Sequence, residues 1–177
     1  MLLVNHQSNL DPMAVGCASP LPLNYLAKQS LFKFGPLGWF LKWNDCIPIQ
    51  RDSNAVGGIK ETLKRLKKKE VVLIFPEGRR SPDGEMLTVK QGFCTLARRT
   101  KSPLLPMALD GAGRAYPRKA KLPGFGNIQI VVGDPIPYED YEMLNDEEMA
   151  AMVQESIAEL LIEAKARHKQ SRVQVHA

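Results

Sequence analysis

Close to its start, the chain carries a histidine and an aspartate separated by five positions, His6 and Asp11. A neutral imidazole can take a proton from a hydroxyl group, and a carboxylate bonded to its other nitrogen fixes the tautomer and stabilises the imidazolium. The pair Asp11–Pro12 is also typical of a helix start, with an aspartate N-cap and proline at the first helical position. Both interpretations can hold together, because a helix that begins at Asp11 can turn this carboxylate back towards the loop of His6.

A second group of polar residues follows the most strand-like run of the chain. The segment 75–81 reads Phe-Pro-Glu-Gly-Arg-Arg-Ser and places Arg79 and Arg80 side by side after a glycine. Guanidinium donors match the geometry of phosphate, so this loop is a candidate anion cradle, and a simple polar turn is the alternative. Arg51 follows another strand-like run and is either a third cation of the site or a surface charge.

Short apolar runs alternate with helical patterns along most of the chain. This alternation predicts an α/β fold with a mostly parallel central sheet flanked by helices. Pro106 lies within the fifth predicted strand and indicates an edge strand or a bend, because proline cannot donate to the ladder. The six predicted strands cover residues 2–4, 23–27, 46–49, 71–75, 104–109 and 128–132.

Two longer segments have the periodicity of amphipathic helices. Apolar residues from Val56 to Leu66 recur at spacings of three and four, with lysines on the other face. A second helix is predicted to begin near Asn145, with three acidic residues in its first turn and an apolar stripe that covers the core. Beyond this stripe the chain is polar, and we expect residues 168–177 to be frayed.

Composition limits the classes of protein that this chain can represent. Its 177 residues suffice for a single domain, and its formal net charge of +5 favours anionic partners such as phosphates, phospholipid surfaces or nucleic acid. The three cysteines, an odd number without a CxxC pattern, predict neither a disulfide framework nor a zinc site and fit a reducing compartment. No apolar run is long enough for a transmembrane helix.

The order and approximate spacing of these motifs resemble the four motifs of glycerolipid acyltransferases. The chain is similar to the lysophospholipid acyltransferase family, of the 1-acylglycerol-3-phosphate acyltransferase type, from Leu3 to about Pro137. By this resemblance, His6 is the catalytic base and Asp11 its partner. The remaining implied roles are phosphate binding by Arg51, Glu77, Gly78 and Arg80, with Lys28 as a weaker candidate, and an acyl-donor side at Pro106.

The resemblance implies transfer of an acyl chain from acyl-CoA or acyl carrier protein to lysophosphatidic acid, with no other cofactor and no metal. It also implies a peripheral protein at the cytoplasmic face of the membrane, with no nucleic-acid partner. The chain departs from the family pattern at Arg79, where threonine is common. It also departs ahead of His6, where five residues replace a longer strand and membrane-associating helices.

Several alternatives remain open at this point. The chain can be a catalytically silent lipid- or phosphate-binding module, an acyltransferase for another lysophospholipid, or a hydrolase that uses Ser8 or Ser81 with His6. The hydrolase lacks support from a GxSxG motif. The aromatic-rich segment 32–43, which contains Lys33 and Lys42, is predicted to be either a membrane-interface element or a buried helix.

Overall fold

The structure is a computed structural model that describes residues 1–28, 33, 35, 39, 46–49, 55–120 and 122–174. These residues form a sheet with the strand order β3-β2-β4-β1-β5-β6, in which every neighbouring pair is parallel except β5 and β6. The predicted α/β fold with a mostly parallel sheet is therefore confirmed. The strands are β1 (Leu2–Val4), β2 (Leu23–Lys28), β3 (Ile47–Ile49), β4 (Val71–Ile74), β5 (Leu105–Asp110) and β6 (Gln129–Val132).

Helices in the described part of the chain lie on both faces of this sheet. The second of them is the amphipathic helix predicted from the lysine-rich segment, and the last is the helix predicted near Asn145. None of the described helices combines the length and apolarity needed to cross a bilayer. The helices are α1 (Asp11–Ala18), α2 (Ala55–Lys67), α3 (Cys94–Thr100), α4 (Ala112–Ala115) and α5 (Asp146–Gln174).

The central strand β1 supplies side chains to two separate cores, because successive residues of a strand point to opposite faces. Leu3 packs in the core that contains Val153 and Ile157 of α5. Leu2 and Val4 pack in the core on the other face, with Val15 of α1. The apolar stripe of α5 thus covers the sheet as its spacing predicts.

The last helix extends further than expected from the polar end of the sequence. It continues to Gln174, whereas fraying was expected from residue 168. His168 is buried, and its Nδ1 lies 3.3 Å from Asp110 Oδ2 at the end of β5. The His168 ring also packs closely on Gly111, because a Cβ on that glycine would lie 2.8 Å from His168 Cε1. Tertiary contact with β5 therefore orders a turn that is polar in sequence.

Pro106 does not mark an edge strand, because β5 pairs with β1 on one side and β6 on the other. Pro106 is the second residue of β5 and lies in register with Leu3 of β1. Its carbonyl accepts a hydrogen bond from the Gly133 N–H at 3.0 Å, just beyond the end of β6. Because the N–H and C=O of one strand residue point to the same side, the missing donor faces Gly133, one residue beyond the end of β6, and does not interrupt the pairing of β5 with β1.

A buried asparagine prolongs the pairing of β1 with β5 beyond the three residues of β1. Asn5 Nδ2 donates to the Leu109 carbonyl at 3.0 Å, and Asn5 Oδ1 accepts from the Leu109 N–H at 2.8 Å. The side chain thus satisfies both backbone groups of Leu109 in the interior, where unpaired groups are costly. This link ends one residue before His6.

We expect Asn5→Ala to lower the free energy of unfolding by about 2–4 kcal/mol, because it leaves the buried N–H and C=O of Leu109 without partners. Urea unfolding with an unchanged slope measures this loss. Asn9→Ala is the matched control, since Asn9 is exposed and its side chain makes no hydrogen bond to a described residue. The control should change stability by less than about 0.5 kcal/mol, and equal losses in both variants would contradict the bridging role.

Candidate active site

The candidate site lies at the edge of the sheet where the parallel strands end. β4, β1 and β5 are adjacent and parallel, so the loops that follow them meet. His6 follows β1, and the segment 75–81 follows β4. Ligands of open α/β sheets bind in the crevice outside such carboxyl ends. The topology therefore brings together the two motifs that are separated by about seventy residues in the sequence.

His6 and Asp11 form a direct hydrogen bond. His6 Nδ1 lies 2.6 Å from Asp11 Oδ2, and because a carboxylate accepts, the imidazole Nδ1–H is the donor. In the neutral ring this leaves a lone pair on Nε2. Within the described part of the chain, Nε2 has no hydrogen-bond partner. The arrangement is that of a general base with its orienting carboxylate.

Asp11 turns back into the loop instead of capping the helix. Its Oδ2 also accepts the N–H groups of Gln7 at 2.6 Å and Ser8 at 2.8 Å, and the residue is fully buried. Helix α1 begins at Asp11 without a side-chain capping bond. The second oxygen, Oδ1, is buried and has no partner among the described residues. One carboxylate oxygen thus fixes both the His6 ring and the backbone that follows it.

Contacts with the segment after β4 fix His6 from the other side. Its ring stacks on Phe75, with centroids 4.0 Å apart and an interplanar angle of 17°. The His6 carbonyl accepts from the Ser81 N–H at 2.7 Å, and the His6 N–H donates to Glu77 Oε1 at 2.7 Å. The imidazole is therefore held in one orientation before any substrate binds.

The hydrogen bonds of Glu77 do not fit the phosphate-binding role that the resemblance implies for it. Its Oε2 accepts the Leu87 N–H at 3.0 Å, so both carboxylate oxygens serve backbone donors. The side chain is 1% exposed, and burial raises the pKa of its carboxyl. A buried anion with both oxygens occupied does not bind a phosphate directly. Glu77 is a positioning residue that joins His6 to Leu87 in the returning segment of its own loop.

The arginines beside Glu77 differ in exposure. Gly78 closes a turn, with its N–H donating to the Phe75 carbonyl at 3.0 Å, and its φ of +71° lies in the region that favours glycine. Arg79 is exposed and Arg80 is half-buried. Neither guanidinium forms an ion pair with any residue that the structure describes. Arg80 is thus the less exposed of the two, and it directly precedes Ser81, whose N–H bonds to the His6 carbonyl.

Lys90 is a cation of this loop that was not anticipated from the sequence. A Cβ on Gly78 would lie 3.4 Å from Lys90 Nζ, so the lysine side chain covers the glycine. The Lys90 N–H donates to the Pro76 carbonyl at 2.9 Å, which closes the loop from 76 to 90. No local pattern around Lys90 indicates this proximity. Lys90 comes close to Gly78 only because the chain turns back on itself between residues 76 and 90.

The structure says less about the remaining predicted site residues. Lys28 is the last residue of β2 and its side chain lies outside the described residues, as does the whole of Arg51. In the segment 32–43 the structure describes three residues, of which Lys33 and Trp39 are exposed. Pro106 is buried and lies in register with Leu3, three residues before His6.

Both candidate serine nucleophiles are engaged elsewhere. The Ser8 hydroxyl donates to the Tyr116 carbonyl at 2.9 Å. The Ser81 hydroxyl donates to Asp83 Oδ1 at 2.9 Å and accepts from the Gly84 N–H at 3.0 Å. Neither hydroxyl is bonded to His6, so the geometry gives no support to a serine hydrolase. In the described part of the chain, no cluster of three or more His, Cys, Asp or Glu side chains is arranged to hold a metal.

A cleft of about 480 Å³ adjoins the loop of His6 without including it. Its lining includes Gln7 next to His6 in the chain, and also Asp110, Arg114 and His168. Arg114 donates to Asp110 Oδ2 at 2.6 Å, and a second ion pair, Lys165 with Glu85 at 2.6 Å, crosses the cleft lining. Because neither His6 nor Arg80 lines it, we do not assign the reaction to this cleft.

We expect Glu77→Gln to lower the free energy of unfolding by about 1–3 kcal/mol at mildly acidic pH, because an amide can accept only one of the two backbone N–H groups. Urea unfolding measures the loss. Glu142→Gln, at an exposed position, is the matched control and should leave stability within about 0.5 kcal/mol. An unchanged stability of Glu77→Gln would contradict the positioning role.

The same variant carries a pH signature. Burial raises the pKa of the Glu77 carboxyl above its ordinary value of 4.5, so the folded protein holds this proton more tightly than the unfolded chain. Between 4.5 and the raised value, the stability of the wild type relative to Glu77→Gln should fall as the pH rises. A relative stability that increases over this range would contradict the expectation.

Comparison with known proteins gives the same family at the level of sequence. A family model described as Acyltransferase matches residues 1–110. A 1-acyl-sn-glycerol-3-phosphate acyltransferase from Bacillus subtilis (strain 168) is 30% identical over 160 residues, covering 89% of this chain and 76% of that protein. The human 1-acyl-sn-glycerol-3-phosphate acyltransferase beta is 29% identical over 140 residues, covering 77% of this chain and 50% of that protein.

A solved structure extends the likeness to the fold. The crystal structure of the 1-acyl-sn-glycerophosphate (LPA) acyltransferase PlsC from Thermotoga maritima matches with a TM-score of 0.80 and 25% identity, covering 93% of this chain and 66% of that chain. This chain thus spans between half and about three quarters of the length of these relatives. Because the matched residues 1–110 include the His6–Asp11 pair and the arginine loop, the chain belongs to the acyltransferase family.

Proposed function

We propose that this chain transfers an acyl group from a thioester donor, acyl-CoA or acyl carrier protein, to the free hydroxyl of 1-acylglycerol-3-phosphate, forming phosphatidic acid. The observation that carries the proposal is the bond between His6 and the buried Asp11, which leaves Nε2 of the ring available beside an arginine loop. The relatives named above act, by their names, on the same acceptor class. Another lysophospholipid is the alternative acceptor, and headgroup competition distinguishes the two.

In the proposed reaction, Nε2 of His6 takes the proton of the acceptor hydroxyl as its oxygen attacks the thioester carbonyl carbon. The tetrahedral intermediate then collapses, the C–S bond breaks, and the departing thiolate takes the same proton from the imidazolium. Asp11 stabilises the transient positive charge of the ring. The products are an ester and a free thiol, and protons and electrons balance without a further reactant.

Direct transfer without an acyl-enzyme agrees with the hydrogen bonding of the serines. Ser8 and Ser81 are both committed to neighbouring groups, as described above. The enzyme then has to hold both substrates at once, so positioning supplies much of the rate. This explains why so many hydrogen bonds fix the orientation of His6.

The acceptor phosphate requires cations that are not already neutralised. Arg80 meets this requirement beside His6, and Lys90 adds a second charge above Gly78. Lys28, the last residue of β2, and Arg51, which lies outside the described residues, are proposed as further contributors. Charge-assisted bonds of this type orient a phosphate as well as bind it.

Because the acceptor and the product are lipids, we also propose that the protein works as a peripheral protein on the cytoplasmic face of the membrane. Its net charge of +5 favours an anionic surface. Its three cysteines are free, which is typical of a reducing compartment. A catalytically silent lipid-binding module of the same fold is the competing function, and loss of activity in His6 variants separates it from the enzyme.

We expect Asp11→Asn to lower kcat by about 10²–10⁴-fold while the protein still folds, because the variant removes the charge that stabilises the imidazolium. The amide nitrogen can replace Oδ1, which has no hydrogen-bond partner among the described residues, so the amide oxygen can keep the three donors of Oδ2. Release of free thiol from acyl-CoA in the presence of lysophosphatidic acid measures the rate.

His6→Ala should abolish this transfer, and Asp140→Asn, at an exposed turn, is the matched control that should retain full activity. A wild-type rate in Asp11→Asn or His6→Ala would exclude the proposed mechanism. A wild-type protein that binds lysophosphatidic acid without transfer would favour the silent module.

We expect Arg80→Ala to raise KM for lysophosphatidic acid by about 10–100-fold with a smaller change in kcat, since one charge-assisted contact to the phosphate is lost. Arg79→Ala provides the comparison one position away, and its effect should be clearly smaller because Arg79 is exposed. Steady-state kinetics over a range of acceptor concentrations gives both values. A larger effect at Arg79 would reverse the assignment.

A further inference from the structure

The connection from α4 to β6 carries an unusual combination of charge and exposed apolar groups. We call residues 116–128 the basic loop, because its sequence contains Arg118, Lys119 and Lys121 and no acidic residue. Leu122 is 79% exposed, and Phe125 is fully exposed. Isolated exposed apolar residues are common on soluble proteins, but these two lie within four residues and beside cations.

The described part of the basic loop, residues 116–120 and 122–128, is held in place by a bond within the loop and by contacts with α4. The Gly124 N–H donates to the Ala115 carbonyl at 2.7 Å, and the Ala120 N–H donates to the Pro117 carbonyl at 3.0 Å. A Cβ on Gly126 would lie 3.2 Å from Ala115 Cβ, so this glycine packs closely on the helix. Phe125 lies between the two anchored glycines and contributes its whole ring to the surface. The protein therefore presents the ring to solvent from a folded loop.

The basic loop belongs to the same edge of the sheet as His6. α4 directly follows β5, whose carboxyl end adjoins that of β1. The Ser8 hydroxyl donates to the Tyr116 carbonyl at the start of the loop, and Gln7 packs on Gly113, where a Cβ would lie 3.5 Å from Gln7 Cβ. A surface that contacts the basic loop therefore lies next to the residues that flank the catalytic base.

We propose that the basic loop docks this protein on an anionic lipid bilayer, with Leu122 and Phe125 entering the headgroup region and the cations meeting lipid phosphates. Aromatic and aliphatic side chains flanked by lysine and arginine are suited to this interface, where apolar burial and attraction to anionic lipids act together. The inference deepens the proposed function, since it names the surface that would bring the site to its lipid acceptor.

Vesicle co-sedimentation of the full chain tests the docking surface independently of catalysis. The probes are phosphatidylcholine vesicles with and without about one fifth phosphatidic acid, and binding should require the anionic lipid and weaken with salt. The double variant Leu122→Ser/Phe125→Ser should bind at least about tenfold more weakly, because two apolar side chains no longer leave water.

Met143→Ser is the matched control. Met143 is 89% exposed but lies near the opposite edge of the sheet, two residues after Tyr141, whose hydroxyl donates to the Ser102 carbonyl ahead of β5. Its binding should equal that of the wild type.

The proposal would be overturned if the wild type did not bind anionic vesicles, or if the double variant bound them as well as the wild type does. Self-association that the double variant abolishes, without vesicle binding, would assign the loop to a second copy of the chain instead.

Activity assays keep this proposal separable from the proposed function. With a short-chain, water-soluble lysophosphatidic acid, the double variant should react at the wild-type rate. With the same headgroup embedded in vesicles it should be slower by about the factor lost in binding. If the wild type transfers an acyl group to none of the acceptors, the proposed enzyme is refuted while the sedimentation result still stands. If the double variant is slowed equally with soluble and embedded acceptors, only the docking proposal is refuted.

Discussion

The central position of the short strand β1 is the constraint on which the site depends. β1 has three residues, yet it lies between β4 and β5 and supplies side chains to both cores. Everything that follows it must be held by other means. Asn5 bonds to Leu109, the backbone of His6 bonds to Glu77 and Ser81, and the next two N–H groups bond to Asp11. A chain of polar contacts thus extends the order of a short strand into the loop that carries the imidazole.

The buried and the exposed charged side chains around His6 have different roles. Asp11 and Glu77 are anions without access to solvent, and each accepts backbone N–H groups that would otherwise be unpaired. Such groups are costly to remove because their partners remain buried. Arg79 and Lys90, by contrast, reach the surface, and Arg80 is half-buried. The anions build the loop and orient His6, and the cations are the groups that we propose for phosphate binding.

Two differences from the sequence-based expectations have a common origin. The proline in β5 was expected to mark an edge or a bend, and the polar end of the chain was expected to fray. In each case a long-range contact decides the outcome. Gly133 bonds to the carbonyl of Pro106, and Asp110 at the end of β5 contacts His168. Local propensity describes what a segment does in isolation, and tertiary packing overrides it where a neighbour supplies partners.

Sequence by itself indicated the strands and the two long helices through their periodicity. Spacing offered His6–Asp11 as a candidate pair, and the family resemblance gave the two residues their implied roles. The sequence also suggested an anion-binding loop with Arg80. Tertiary structure alone decided that Glu77 supports the backbone of His6 and Leu87, since these partners lie far from it in the sequence or across its loop. The approach of Lys90 to Gly78 and the bridge from Asn5 to Leu109 likewise required the fold. Contacts between distant positions depend on how parallel strands are ordered, and that order is not written in any local pattern of residues.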